Sequence, residues 1–379
     1  MSSPSPRSTL RAAVSTILHG WAGPAILVVY AAASLALGAR LTAVPGFATV
    51  NPLLELTMLI FGVVIAVHHA EAIAHRLGEP YGTLVLTMAV TVIECSLIVA
   101  VMLSGKGNPA LARDTVFSVI MLVCNGLVGA CFLIGGLRWG EQTFRATSAR
   151  AYLMVLLPFG VLTMILPGFT TSVAGPFFST AQVIFVSFVT LVLYGIFLYV
   201  QTVRHRGFFD VETAVETEAE VEAEAPADDG PSITPYLLLT VALTAIVMLA
   251  KSFAGSLASV VEAVGAPGSV VGVVVATLVL LPESVTAIQA ARADQLQRSI
   301  NLALGSSLAT IGLTFPAVGA LSLFLDKPLV LGLGPTEMVL LTLTLAVSMV
   351  TFSGGRTNIL SGSVHLVLLA TFVFLIFAP

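Results

Sequence analysis

Apolar runs of about 20 residues recur along the whole of this 379-residue chain, and about 20 residues is the helix length that crosses the hydrocarbon core of a bilayer. A lipid environment offers no partner for backbone N–H and C=O groups, so such runs must satisfy them internally as helices. A lipid-facing barrel would instead show alternating ten-residue strands, and these runs are too long and continuous for that. Charged residues make up 9% of the chain, against about 25% in soluble domains, too few to cover a surface facing water. The expected fold is an all-α polytopic membrane protein.

About eleven spans can be drawn, each end uncertain by a few residues: near 20–39, 51–70, 82–103, 115–136, 151–171, 180–202, 233–253, 267–289, 299–323, 331–352 and 359–378. The tail MSSPSPRSTLR precedes the first run without a clear small-residue cleavage site, so that run is expected to be a retained helix. With the N-terminus in the cytoplasm, inner segments carry eleven of the 16 bases, including Arg76, Arg145, Arg204 and Arg298. Outer loops carry five: Arg40, Lys106, Arg113, Lys251 and Lys327. This bias follows the positive-inside rule and predicts a multi-pass protein of the cytoplasmic (inner) membrane.

Net charge is −4, but residues 210–229 alone hold nine of the 20 acids and no base. The segment DVETAVETEAEVEAEAPADDG reads as a disordered or loosely helical acidic tether. Cys95, Cys124 and Cys131 all fall inside apolar runs, so they read as small packing residues and not as a disulfide framework.

The expected layout is a tail and first helix (1–50), five spans (51–205), the acidic cytoplasmic linker (206–232) and five more spans (233–379). An odd number of spans per set inverts the second set in the membrane, and inverted repeats with a midplane site are a transporter architecture. The sets share a pattern: GTLVLTMAVTVIE ends at Glu94 and GVVVATLVLLPE ends at Glu283, each a Gly-led apolar helix reaching one acid. A lone arginine follows each, Arg113 and Arg298, before another span with polar residues.

Of the acids outside the linker, Glu79, Asp114, Glu141, Glu262, Asp294 and Asp326 read as membrane-edge residues. Glu94 and Glu283 read as mid-bilayer residues, where a bare carboxylate costs several kcal/mol and marks a functional site. Thr87, Thr91 and Glu94 fall at i, i+4 and i+7, one helix face. Ser118 and Asn125 are also seven apart. SINLALGSSLATIGLTFP presents Asn301, Ser306, Ser307 and Thr310 among small residues. Pro282 leaves a carbonyl without its helical partner just before Glu283. Such an oxygen-only set suits a hard cation such as Ca2+. Protons and a metal ion compete for the same carboxylate oxygens; if only loaded states reorient, competition becomes exchange. HHAEAIAHRLGEPYG adds His68, His69, Glu71 and His75 at the inner end of the second span, a candidate pH-sensing or metal position that also reads as an interfacial anchor.

At these residues the chain resembles the cation/proton exchangers of the calcium/cation antiporter superfamily, and more closely their bacterial calcium/proton and sodium or potassium/proton branch. LGEPYGTLVLTMAVTVIECSLIVAVM is similar to that branch's first α-repeat; LLPESVTAI with RSINLALGSSLATIGLTFP is similar to its second. LYGIFLYVQTVRH and TFSGGRTNILSGSVHL resemble its sixth-span end and its segment before the last helix. The resemblance implies one regulatory first helix plus two inverted five-helix repeats. It implies that Glu94 and Glu283 are the central cation-binding and proton-coupling acids and that Glu71 is a further coupling acid. It places Asn125, Asn301 and Ser306 beside the site, and the shared helix face adds Thr91. The family's Gly-Asn before the first acid is Val90-Thr91 here, and the small polar pair before the second is Val279-Leu280. Fewer side-chain oxygens remain, which brings Na+ or K+ forward beside Ca2+.

The implied partners are inorganic cations, protons and the lipid bilayer, with no cofactor and no nucleic acid; the sequence leaves the oligomeric state open. A passive channel would more often carry a symmetric filter. An enzyme reading fails on spacing, since His69 and His75 are six apart, unlike H-E-x-x-H.

Overall fold

The computed structural model describes residues 20–41, 47–78, 81–103, 110–209, 233–325 and 330–378. The expectations for the N-terminal tail, Glu79, Asp326 and linker residues 210–232 lie outside them. The apolar runs fold as helices. Helix α1 (Ala22–Leu41) is followed by α2 (Phe47–Leu77) and α3 (Tyr81–Leu103). Helix α4 (Leu111–Met121) passes through a π-helical turn (Leu122–Leu127) into α5 (Val128–Trp139). Then come α6 (Ala146–Gly160), α7 (Thr180–Tyr199) and the short α8 (Arg206–Phe209).

The second half repeats this order. Two long helices come first, α9 (Thr234–Ala263) and α10 (Ser269–Arg292). Next, α11 (Leu296–Ala309) runs through a π-helical turn (Thr310–Thr314) into α12 (Phe315–Leu325). Helices α13 (Pro335–Ser353) and α14 (Ile359–Phe377) complete it. Among the described residues nine helices are long and apolar enough to cross a membrane. Two shorter apolar stretches, Ala22–Ser34 and Val85–Ala100, fall where the first and third spans were drawn.

Polar side chains inside the helices bond back to their own helix. The hydroxyls of Thr115, Thr163, Thr190 and Thr277 each donate to the carbonyl four residues earlier, which hides the polar group from lipid. Ser179 and Gln182 form a reciprocal capping box at the start of α7, and Asn358 caps α14. Helix α7 leaves Phe185, Phe188, Leu191 and Ile196 exposed, an apolar face of the size that lipid covers.

Contacts between loops respect the alternation of sides. Strand β1 (Gln142–Thr143) pairs antiparallel with β2 (Arg356–Thr357), and Arg356 faces Glu141 at 3.6 Å. Arg113 donates to the carbonyl of Gly332 at 3.0 Å. Each pairing joins segments that the positive-inside assignment puts on one side.

Two large apolar cores form, beside a smaller one around Phe178 and Val183. One, around Leu27, Leu59, Ile246 and Phe253, joins α1, α2 and α9. The other, around Phe132, Tyr152, Leu304 and Phe352, joins α5, α6, α11 and α13. Helix α10 belongs to both: Val275 and Leu278 face the first, Ala276 and Leu280 the second. It therefore forms the wall between them, with Glu283 in its C-terminal half. Gly272 lets α10 cross α4 closely, since a Cβ there would lie 2.9 Å from the backbone of Asp114 and Thr115.

Candidate functional site

Glu94 is carried on α3 and is 1% exposed. Its Oε2 accepts a hydrogen bond from the Thr314 hydroxyl at 3.0 Å. Its Oε1 is buried without a hydrogen-bond partner. Glu283, on α10, is half-buried, and its Oε2 is likewise buried and unpartnered. Both carboxylates line one cavity of about 330 Å³. A buried carboxylate oxygen without a donor is costly, and here two of them border the same space.

The neutral oxygens around this cavity come from facing helices. Thr91, one turn before Glu94, donates its hydroxyl proton to the Thr87 carbonyl at 2.8 Å, so the oxygen's lone pairs stay available. Ser306 and Thr310 line the opposite wall. Thr310 opens the π-helical turn, where the widened helix leaves carbonyls out of the regular ladder. Pro282 sits inside the continuous helix α10 directly before Glu283, and its carbonyl accepts the Thr286 hydroxyl at 3.1 Å.

Asn301 also borders the cavity, but its amide is fully engaged. Its Oδ1 accepts from Gln297 at 2.7 Å and from Ser148 at 3.0 Å, and its Nδ2 donates to the Phe209 carbonyl at 2.7 Å. Asn125 does not line the cavity. Its Nδ2 donates to Thr344 at 2.9 Å, and its Oδ1 lies 3.2 Å from Nδ1 of His365. The sequence spacing that set Ser118 and Asn125 on one face is broken by the π-helical turn, which begins at Leu122 and adds a residue to the turn. Ser118 bonds its own helix at the Asp114 carbonyl.

Glu71 is exposed on α2 and lies within electrostatic reach of Glu283, Arg298 and His75. Among the described residues no three His, Cys, Asp or Glu side chains gather as a metal group, which removes the transition-metal reading of His68, His69, Glu71 and His75. A cation held between Glu94 and Glu283 would draw its remaining ligands from hydroxyls, carbonyls and water.

Asp114 lies in the first turn of α4, where it is 8% exposed and held by Arg113 at 2.7 Å. Glu55, not singled out at all, is fully buried. Thr314 was also missed, although it stands in the same quoted run as Ser306.

The cavity is bordered by Arg298, Asn301 and Gln201, on the side rich in arginine. A separate small pocket of about 20 Å³ lies beside Thr314, Arg113 and Met164.

A helical bundle with an apolar outer surface and an interior cavity lined by two carboxylates has the architecture of a multi-pass membrane transporter. The family follows from comparison: residues 48–203 and 234–378 match the sodium/calcium exchanger protein family, and the chain belongs to it. The putative ionic transporter y4hA of Sinorhizobium fredii is 42% identical over 96% of each chain. The sodium-potassium/proton antiporter ChaA of Escherichia coli is 36% identical over 86% of this chain and 88% of its own. The fold matches the crystal structure of the H+/Ca2+ exchanger CAX with a TM-score of 0.67 at 16% identity, over 97% of this chain and 89% of that one.

Proposed function

We propose that the chain exchanges a metal cation for protons across the cytoplasmic membrane by alternating access, with Glu94 and Glu283 as the shared site. The observation that carries this is the pair of unpartnered carboxylate oxygens, Glu94 Oε1 and Glu283 Oε2, bordering one cavity. Protons on both acids leave a neutral site; a cation requires both oxygens bare. The two loads therefore exclude each other by charge and by space, and coupling follows without a separate proton path. Thr91, Ser306 and Thr310 supply neutral ligands. Glu71, at the mouth, passes protons between solvent and Glu283, with the Arg298 guanidinium as a fixed charge beside it. Asn301 holds the rim, and Asn125 supports the site from the neighbouring polar network.

Ca2+ is the leading cargo, because two ionised carboxylates balance a divalent ion and hard oxygen ligands suit it. Monovalent exchange of Na+ or K+ is the second reading. It is favoured by the function named for the 36% identical relative and by Val90, Val279 and Leu280, apolar at the positions flanking the acids. The excess of arginine on the cavity's side supports a cytoplasmic position for that side and an inside N-terminus. With protons moving inward, the cation moves out.

The test is an exchange assay in everted vesicles holding a preformed pH gradient. Ca2+, Na+ or K+, added in parallel, should collapse the gradient with the wild-type chain and fail to do so with Glu94→Gln or Glu283→Gln. A gradient that responds to no cation, or equally in both variants, would overturn the proposal.

A further inference from the structure

A second carboxylate site lies outside the transport cavity. Glu55 sits on α2 between Leu54 and Leu56 and has no solvent exposure. Donors converge on one of its oxygens. Oε1 accepts from the Asn51 amide at 2.9 Å and from the Ser252 hydroxyl of α9. The Ser34 hydroxyl of α1 lies 3.4 Å from Oε1 and 3.0 Å from Ser252 Oγ, and its one proton goes to either. The other oxygen, Oε2, is buried and has no hydrogen-bond partner. Tyr30, one turn before Ser34 on α1, lies within reach of the same charge.

The asymmetry between the two oxygens is what needs an explanation. Convergent donors are the surroundings of an ionised carboxylate, which accepts and never donates. A buried charge without a counter-charge is strongly disfavoured, yet among the described residues no arginine, lysine or histidine forms an ion pair with Glu55. The hydroxyl oxygens of Ser34 and Ser252 have lone pairs beyond those used in their shared bond. We propose that Glu55 Oε2 binds a monovalent metal cation, Na+ or K+, with Ser34 and Ser252 as neutral oxygen ligands.

One carboxylate balances one positive charge; a divalent ion here would leave a net charge in an apolar core. Nitrogen and sulfur ligands are lacking from the set, so a transition metal has no claim on it. The site joins three helices that the chain brings together from far apart: Ser34 is 218 residues from Ser252. The ion fastens α1 onto the α2–α9 pair, and Glu55 is not among the residues lining the transport cavity. The inference therefore stands apart from the exchange reading.

The experiment uses the purified full chain carrying Glu94→Gln and Glu283→Gln, so that the transport carboxylates cannot hold an ion. Equilibrium binding of 22Na+ and of 86Rb+, as a stand-in for K+, is measured in N-methyl-glucamine buffer. Stoichiometric retention of one of them is expected, lost to background when Glu55→Gln is added. Ser252→Ala, which removes one neutral ligand and keeps the charge, should weaken it several-fold. Thermal unfolding of the same protein should rise when the retained ion replaces N-methyl-glucamine, and this rise should vanish with Glu55→Gln. Background-level binding in the parent, or retention unchanged by both Glu55→Gln and Ser252→Ala, overturns the proposal.

Discussion

Thr314→Val removes one atom's worth of chemistry from the proposed exchange site and little else. The two side chains have nearly the same shape, and Thr314 is fully buried on the π-helical turn, so the variant keeps its packing. What it loses is the hydroxyl that donates to Glu94 Oε2 at 3.0 Å. Thr310 is the other hydroxyl close to this carboxylate, and Oε1 accepts no hydrogen bond. A hydrogen bond to a charged group contributes about 1.5–3 kcal/mol. The bond holds Glu94 ionised and fixes its rotamer while a cation is bound, so its loss falls on the cation-loaded state. At about 1.4 kcal/mol per tenfold, cation affinity should drop by about tenfold to a hundredfold at constant pH. The assay is equilibrium binding of 45Ca2+ and 22Na+ to purified wild-type and variant protein, with melting temperature as the folding control. Affinity equal to wild type in a well-folded Thr314→Val protein would refute the role given to this contact and the placement of the ion beside Glu94.

The remaining predictions separate ligands from supports. Asn301→Ala should change cation affinity by less than about fivefold, since its amide is spent on Gln297, Ser148 and the Phe209 carbonyl. It should cost about 1–3 kcal/mol of stability through the partners it leaves unbonded, read from thermal unfolding in detergent. Gly272→Ala should destabilise by about 1–3 kcal/mol through overpacking, because its Cβ would press at 2.9 Å on the backbone of α4; an unchanged melting temperature would contradict the close crossing.

What the sequence displays depends on how local the signal is. Glu94 and Glu283 are visible because a charge inside an apolar run needs no knowledge of neighbours to be improbable. The small residues and hydroxyls of α11 are visible for the same reason. Thr314 as a partner of Glu94 is not, because the pair is separated by 220 residues and only the tertiary fold joins them. Glu55 was hidden by a boundary. With the second span drawn from residue 51, this acid falls only four residues inside it and draws no attention. The helix instead begins at Phe47, which sets Glu55 two turns inside it, against α1 and α9. Asn125 shows the opposite error: a polar residue at ideal spacing that helical phase turns away. The π-helical turn around it rotates the face, and a period of 3.6 residues cannot register an insertion of that kind. Asn301 lies at the cavity as its neighbours in sequence suggest, but that its amide is already spoken for depends on Ser148 and Phe209, both remote in the chain.

The account rests on one pair of carboxylates serving both loads, and proton release on cation binding tests that directly. Purified chain in weakly buffered detergent is mixed with Ca2+ or Na+ while the pH is followed. Shared oxygens predict that binding acidifies the solution, that cation affinity falls as pH is lowered because protons compete for Glu94 and Glu283, and that both effects disappear together in Glu94→Gln/Glu283→Gln. Cation binding with no proton released, or release that persists in the double variant, would contradict it.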